Sequence, residues 1–383
     1  MTEQRSTSVS TKASRQLWGR PELYTSYGQN LRMLNTRPKQ VAVVAMVLLA
    51  ATYVPFGLPD EWLHLFAMGL AAAIGAIGLN IVTGYAGQVS LGHAFFLAIG
   101  AYTASALSGE PGRRTIGFGI TFLPLWLLAA GVVAGVAGVI VAPLATRLRG
   151  LYLAIVTLGL VFLGLHIFKE WKALTGGPGV GRQGPVPEMF GQRLDRNGDL
   201  LTGDQKMYLL TLVLLVIFAV FARNLVRSKV GRAFAAVRDR DIAADVIGVS
   251  VTRYKVLAFG ISSFYAGCAG ALLYAVLGRV EPDSFNLLLS IQFVAMVLIG
   301  GAGTISGSIM GALFITMLPR LTQELPTVLP FISSDVTAPL GAANLAIIFY
   351  GLMIILFLIF EPRGLFGIWI RIRNYFKAWP FSY

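Results

Sequence analysis

Read for the order of apolar and polar residues, the chain falls into ten long apolar stretches joined by polar connections. They lie at 40–58, 63–83, 91–108, 119–143, 151–168, 207–223, 256–277, 287–300, 304–319 and 340–360. A bilayer core takes roughly 20 apolar residues per helix, and the eighth and ninth stretches are short for that length. Except for Arg223 at the end of the sixth, none holds Lys, Arg, Asp or Glu, although the chain has 31 basic and 18 acidic residues. An ionised group inside a span is costly and tends to be functional, so this distribution is informative. The pattern predicts an all-α integral membrane protein of about ten transmembrane helices.

Composition agrees and excludes an ordinary water-soluble enzyme. Of 383 residues 56% are hydrophobic and 13% charged, with a mean hydropathy of +0.71, where soluble domains are about a quarter charged. Charge then fixes the expected topology. With the first residues inside, the even-numbered connections and the two tails carry 21 Lys and Arg against 6 acids, and the odd-numbered connections carry 10 against 12. The positive-inside rule is satisfied, which puts both termini in the cytoplasm. The cations lie in short juxtamembrane loops, where topology accounts for them and nucleic-acid binding is not needed. Membrane lipid is the expected surrounding.

The expected organisation is a polar cytoplasmic tail at 1–39, a transmembrane domain at 40–360 and a cytoplasmic tail at 361–383. The first tail has seven cations and two acids and lacks the apolar core of a cleavable signal peptide, so the first span should be retained. Trp18, Tyr24 and Tyr27 would let that tail lie on the membrane surface, and a disordered tail is the alternative. The single cysteine, Cys268, falls in the seventh span and has no disulfide partner in the chain.

Two connections are large enough to do more than join helices. The first, 169–206, is expected outside; it contains Leu174-Thr-Gly-Gly-Pro-Gly-Val-Gly-Arg182, which predicts a turn-rich segment suited to docking or gating. The second, 223–255, is expected in the cytoplasm. Its Gly231–Gly248 part is rich in Ala, with Phe234, Val237, Ile242 and Val246 at helical spacing, predicting one or two short amphipathic helices.

Two glycine-rich breaks interrupt apolar sequence, Gly84-Tyr-Ala-Gly-Gln-Val-Ser-Leu-Gly-His93 and Gly300-Gly-Ala-Gly-Thr-Ile-Ser-Gly307. Ser90 and Ser306 then fall at the expected N-caps of the following spans. Broken helices with free N–H groups hold anionic groups in transporters; alternatively the glycines only allow a tight reversal or close packing. The breaks lie six spans apart, which gives them the same orientation and no support for an inverted repeat. Polar residues around them are the candidates for a translocation pathway: Tyr85, Gln88, Ser90, His93, Thr304 and Ser306, with Tyr152 and Thr157 after these.

Catalytic chemistry is not legible. His64, His93 and His166 are far apart in sequence, with no carboxylate in a span to complete an acid–base pair or metal site. No Lys is followed by Ser or Thr, so there is no P-loop, and no span carries the acid that proton- or sodium-coupled carriers use. No catalytic, cofactor or metal site is expected, and an ATP-driven process would need another chain.

The segments Gly78-Leu-Asn-Ile-Val-Thr-Gly-Tyr-Ala-Gly-Gln-Val-Ser-Leu-Gly-His93, Leu148-Arg-Gly-Leu-Tyr-Leu-Ala-Ile-Val-Thr-Leu158, Leu174-Thr-Gly-Gly-Pro178, Gly231-Arg-Ala to Ile242-Ala-Ala, and Gly300-Gly-Ala-Gly303 occur in that order. Together, over about residues 70–367, they resemble the LivM-type permease of branched-chain amino-acid ABC importers, with a type II importer permease fold. The N-terminal tail is longer than that pattern. The resemblance implies a bacterial inner-membrane complex with a second LivH-type permease, two ATP-binding cassette subunits and a periplasmic solute-binding protein. It also implies a cytoplasmic coupling helix. Ala243, Ala244 and Gly248 match part of the importer coupling motif, while Ile242 stands where its Glu is usual and its Leu-Pro is missing. Arg238, Asp239, Arg240 and Asp241 beside it can pair across an interface with the ATPase. A urea or amide importer permease resembles the same stretches. A self-contained channel is the rival of another class.

Overall fold

The structure is a computed structural model that describes residues 37–110, 115–148, 150–184, 187–189, 192–194, 201–328, 348, 351, 352, 354–357, 359–361 and 364–378. The helices are α1 Arg37–Gly57, α2 Asp60–Asn80 with a π-helical turn Ile81–Tyr85, α3 His93–Ser108, α4 Leu123–Arg147, α5 Leu151–Glu170 and the single turn α6 Lys172–Thr175. There follow α7 Gly203–Arg227, α8 Lys229–Asp239, α9 Asp241–Val246, α10 Val251–Leu277, α11 Leu287–Gly300, α12 Ile305–Val328 and α13 Gly364–Ala378. Among the described residues the strands are two-residue pairs, β1 Arg182–Gln183 against β4 Arg279–Val280 and β2 Glu188–Met189 against β3 Gln192–Arg193, both antiparallel.

The chain is therefore an all-α, multi-pass membrane protein. Nine of the ten expected spans each correspond to one of these helices. Most of the tenth, 340–360, lies outside the described residues, and its described residues from Ile348 to Phe360 are helical. Apart from residues 37–39, which begin α1, the N-terminal tail also lies outside the described part. Several helices overrun their apolar stretch: α2 begins at Asp60, α7 at Gly203, and α10 at Val251, so it takes in Arg253 and Lys255. Backbone hydrogen bonding continues into the membrane interface even where the side chains have become polar.

Lipid gives little hydrophobic drive for one helix to bind another, so close packing through small residues decides which helices are central. The helical segment Asp60–Tyr85 is 83% buried and Val251–Leu277 is 67% buried over their apolar windows, against 33–39% for Leu123–Leu144, Leu151–Glu170 and Gly203–Arg227. The central pair is rich in Gly and Ala where it touches its neighbours. A Cβ on Gly75 would stand 2.7 Å from Phe293 Cε1 of α11, and one on Gly78 2.5 Å from Tyr265 Cβ of α10. The outer helices keep apolar outward faces, such as Val132, Val136 and Ile140 of α4 and Phe162 and Leu163 of α5.

At one end of the bundle α1, α2 and α7 are tied by polar contacts. Thr202 caps α7 in a reciprocal box with Gln205, Gln205 Nε2 donates to the Pro55 carbonyl at 2.8 Å, and His64 lies 3.3 Å from Asp204. This last carboxylate belongs to a helix that starts earlier than its apolar stretch does. The opposite end carries α8, α9 and both glycine breaks.

Candidate functional site

The two breaks, more than 200 residues apart in sequence, meet in space. Asn80, fully buried at the end of α2, joins them with every atom of its amide. Its Oδ1 accepts from the Gly303 N–H at 2.8 Å, and its Nδ2 donates to the Thr304 carbonyl at 2.9 Å and to Ser308 Oγ at 2.8 Å. Gly84 is required for this approach, since a Cβ there would collide with Asn80 Oδ1 and the Gly303 nitrogen. In the second break Gly301 and Gly303 have φ of 119° and 79°, a region that favours glycine. Gly364, at the start of α13, covers that break from the far side, where a Cβ would be 2.5 Å from the Ile299 carbonyl oxygen.

The first break is a widened helical turn followed by an irregular run in which Gly87 has φ of 70°. Within Ile81–Tyr85 the ladder shifts register: the Ala86 N–H bonds to the Ile81 carbonyl and the Gln88 N–H to the Val82 carbonyl. In a regular α-helix Gln88 would instead satisfy the Gly84 carbonyl. That carbonyl is left free by the chain's own ladder and accepts from Arg238 Nη1 at 2.6 Å. Farther along, Leu91 N–H is held by Thr157 Oγ1 of α5 at 2.9 Å, and Ala94 N–H by Ser290 Oγ of α11 at 3.0 Å.

The candidate pathway residues divide between the junction and its buried flank. Tyr85, half-buried, lies beside the Ile305 backbone and in the field of Arg238. Thr304 Oγ1 donates to the Gly301 carbonyl at 2.8 Å, and Ser306 is exposed in the first turn of α12. Gln88, Ser90 and His93 are 4%, 3% and 1% exposed, so they face protein in this arrangement. The Gln88 amide and His93 Nε2 have no hydrogen-bond partner among the described residues, and the His93 ring packs 4.9 Å from Phe293. Tyr152 is 72% exposed on α5. The expected N-caps fall elsewhere: Gly92 precedes α3, with Ser90 Oγ accepting the Gly92 N–H at 3.4 Å, and Ser306 lies inside α12. A two-residue offset suffices because backbone turns at the glycines set where each helix begins.

Sequence reasoning missed Asn80. Its signal was available, because an amide in an apolar helix must be paired or pay for its burial; attention to ionised groups alone passed over it.

The 223–255 connection forms the two short helices expected, but their apolar residues do not share one buried face. Phe234, Val237 and Ala244 are buried, whereas Ile242, Val246 and Ile247 are 68%, 83% and 75% exposed. An extended residue, Arg240, separates α8 from α9 and turns the second helix outward. Ser228 caps α8 by accepting from the Val230 N–H at 3.1 Å. At the other end Gly248, with φ of 87°, closes α9, and the Val249 N–H returns to the Ala244 carbonyl at 2.9 Å. Lys255 Nζ, on nearly buried α10 surface, is 3.8 Å from Asp241 Oδ2. Of the other candidates for ATPase contact, Asp239, Arg240, Ala243 and Gly248 are exposed, while half-exposed Arg238 reaches inward to the break.

The 169–206 connection is turn-rich where described. Its Arg182 is buried and donates through Nη1 to the Leu174 carbonyl at 2.9 Å. Burial lowers the guanidinium pKa from its ordinary value, opposed by Tyr274 and Tyr102. A cleft of about 440 Å³ opens beside it, between Gly109 and Glu110 on one side and Val180–Gly184 on the other.

Comparison with known proteins agrees with this architecture. Residues 62–358 match the family model described as the permease component of the branched-chain amino acid transport system. The chain is 35% identical to the high-affinity branched-chain amino acid transport system permease protein LivM of Salmonella typhimurium, over 76% of this chain and 70% of the relative. The Escherichia coli LivM is 34% identical over the same shares. The Escherichia coli LivH permease is 24% identical over 78% of this chain and 92% of its own length. No solved structure matches. A helical bundle with two paired glycine breaks, matched along most of its length, belongs to the permease-component family of branched-chain amino acid ABC transport systems.

Proposed function

We propose that this chain is the membrane-spanning permease of an ATP-driven importer, forming half of a translocation pathway for leucine, isoleucine and valine by alternating access. The observation that carries the reading is the bond from Arg238 of α8 to the Gly84 carbonyl of the first glycine break, which Asn80 in turn joins to the second, so the helix that leads to protruding α9 is in contact with the bent segments of the bundle. Identity to two permeases of branched-chain amino acid transport supports the solute class. The partners of this reading are a LivH-type permease, two ATP-binding cassette subunits and a periplasmic solute-binding protein. ATP hydrolysis belongs to those cassettes, and this subunit is non-catalytic.

In this reading the protein sits in the bacterial inner membrane with both termini in the cytoplasm, and 223–255 is the cytoplasmic coupling loop. The 169–206 loop and its cleft face the binding protein. The exposed apolar side chains Ile242, Val246 and Ile247 enter a groove of the ATPase, with Asp239 and Arg240 at the rim. Tyr85, Gln88, Ser90, His93, Thr304 and Ser306 line the path when the bundle rearranges.

Two measurements test this. Uptake of labelled leucine and labelled urea is compared in cells carrying the complete transporter, with and without an ATPase-dead cassette. Leucine uptake abolished by the dead cassette supports the reading; uptake of urea alone moves the solute class, and uptake that ignores the cassette argues for a channel. Separately, Ile242→Asp with Val246→Asp should leave the permease in the membrane but reduce copurified ATPase at least about tenfold, the loss of an apolar anchor of roughly 1.4 kcal/mol or more. Normal copurification would remove α9 from the interface.

A further inference from the structure

The Arg238 side chain occupies a position that surface pairing with an ATPase does not explain. It sits in the last turn of α8, two residues before the extended Arg240, yet its guanidinium reaches the bundle. Its stem lies on the first break: a Cβ on Gly87 would stand 2.6 Å from Arg238 Cγ and 3.2 Å from Arg238 Cα. Its Nη1 holds the Gly84 carbonyl at 2.6 Å and is 3.4 Å from the place a Cβ would take on Gly303 of the second break. One side chain thus spans from the cytoplasmic helix pair of the proposed topology to both breaks.

Two physical features make this contact strong and specific. The acceptor is a carbonyl released by the π-helical turn, so the bond competes with no helix hydrogen bond. It also lies at the C-terminal end of α2, where the helix dipole favours a cation and a charged donor gives a stronger bond than a neutral one.

Resting on the importer reading, we infer that Arg238 is the positioning residue through which movement of α8 and α9 reaches the two glycine breaks. When an ATPase tilts α9, the rigid α8 turn carries Arg238 with it. The Gly84 carbonyl must then follow or be released. Either response changes how the first break is held against Asn80 and the second break, because Gly84 packs directly on Asn80. The Arg238 guanidinium also pairs through Nε with Asp239 Oδ1 at 3.5 Å, so the exposed carboxylate holds it from the outer side while Nη1 reaches the Gly84 carbonyl.

The test uses the complete transporter in proteoliposomes and reads leucine moved per ATP hydrolysed. Arg238→Met keeps the stem against Gly87 and removes the donor; Arg238→Lys keeps one charged donor. The expected result is that Arg238→Met still assembles and hydrolyses ATP but moves at least about tenfold less leucine per ATP, within the usual span of coupling between sites. Arg238→Lys should recover much of that ratio. An unchanged ratio in Arg238→Met overturns the inference. Parallel loss of assembly, hydrolysis and transport in both variants also overturns it, since Arg238 would then only hold the fold. A wild-type complex that hydrolyses ATP and moves no leucine sinks the importer reading itself, and that outcome is visible before any variant is compared.

Discussion

Asn80→Asp is expected to remove functional protein from the membrane, and to do so more severely than Asn80→Ala. Asn80 uses one acceptor and two donor contacts to hold Gly303, Thr304 and Ser308. Alanine loses all three, and at about 0.6 kcal/mol per interhelical bond in membrane bundles that is roughly 2 kcal/mol. Aspartate is the sharper test because its size is nearly the same. An ionised carboxylate has no donors, so it would face the Gly303 N–H with one oxygen and present the other to the Thr304 carbonyl. An uncompensated buried charge costs about 3–5 kcal/mol. Protonation relieves part of this, and the neutral acid still supplies one donor where the amide supplied two. Thermal unfolding of the detergent-solubilised protein, with its abundance in membranes, should rank wild type above alanine and alanine above aspartate. Aspartate at wild-type stability would mean that the two breaks are not joined through this side chain.

The same residue marks where sequence reasoning stops. The spans were legible because an ionised group is so costly in lipid that ten stretches, free of charge but for Arg223 at the end of the sixth, can be read directly, and nine of them return as described helices. The breaks were legible too, because clustered glycines in apolar sequence interrupt helices. Their meeting was not. It depends on Asn80, a single amide that hardly alters the hydropathy of its span, and on a one-residue change of hydrogen-bond register at Ile81–Tyr85 that no local pattern announces. The helical spacing of Phe234, Val237, Ile242 and Val246 predicted one or two short amphipathic helices without saying which way each apolar face turns. The extended conformation at Arg240 breaks that phase, so the first two are buried and the last two protrude. Charge counting likewise gave Arg238, Asp239, Arg240 and Asp241 one common surface role, whereas the fold turns Arg238 to the break and brings Asp241 near Lys255.

Gly267→Val should destabilise the protein about as strongly as any neutral substitution in it, while Gly159→Val should be nearly silent. Gly267 lies where α3, α4 and α10 pack backbone against backbone. A Cβ there would run into the Ala130 carbonyl oxygen and come within 2.5 Å of Ala134 Cβ. The reciprocal positions are as tight: a Cβ on Gly100 would strike the Gly267 carbonyl, and one on Gly270 the Leu97 carbonyl. Flexible side chains can move aside, but these obstacles are main-chain carbonyls and one β-carbon, which has no torsion of its own, on helices fixed by their own hydrogen bonds. Valine therefore has to separate α10 from α4, forfeiting the close contacts on which helix association in lipid depends. Overpacking of this kind typically costs 1–3 kcal/mol and sometimes more, and about 3 kcal/mol is expected here because no rotamer avoids Cβ. Gly159, on the outward face of α5, has nothing within 4 Å of its would-be Cβ, so valine there should change stability by no more than about 0.5 kcal/mol. Comparing the two in one membrane background separates steric crowding from the general effect of a β-branched residue in a helix. If Gly267→Val unfolds at the wild-type temperature, α4 and α10 are farther apart than the glycine contacts require. If it unfolds early while Gly159→Val does not, the α3–α4–α10 block is the rigid part of the bundle. Movement during transport must then be sought where the chain is bent and hydrogen-bonded, at the breaks that Asn80 and Arg238 hold.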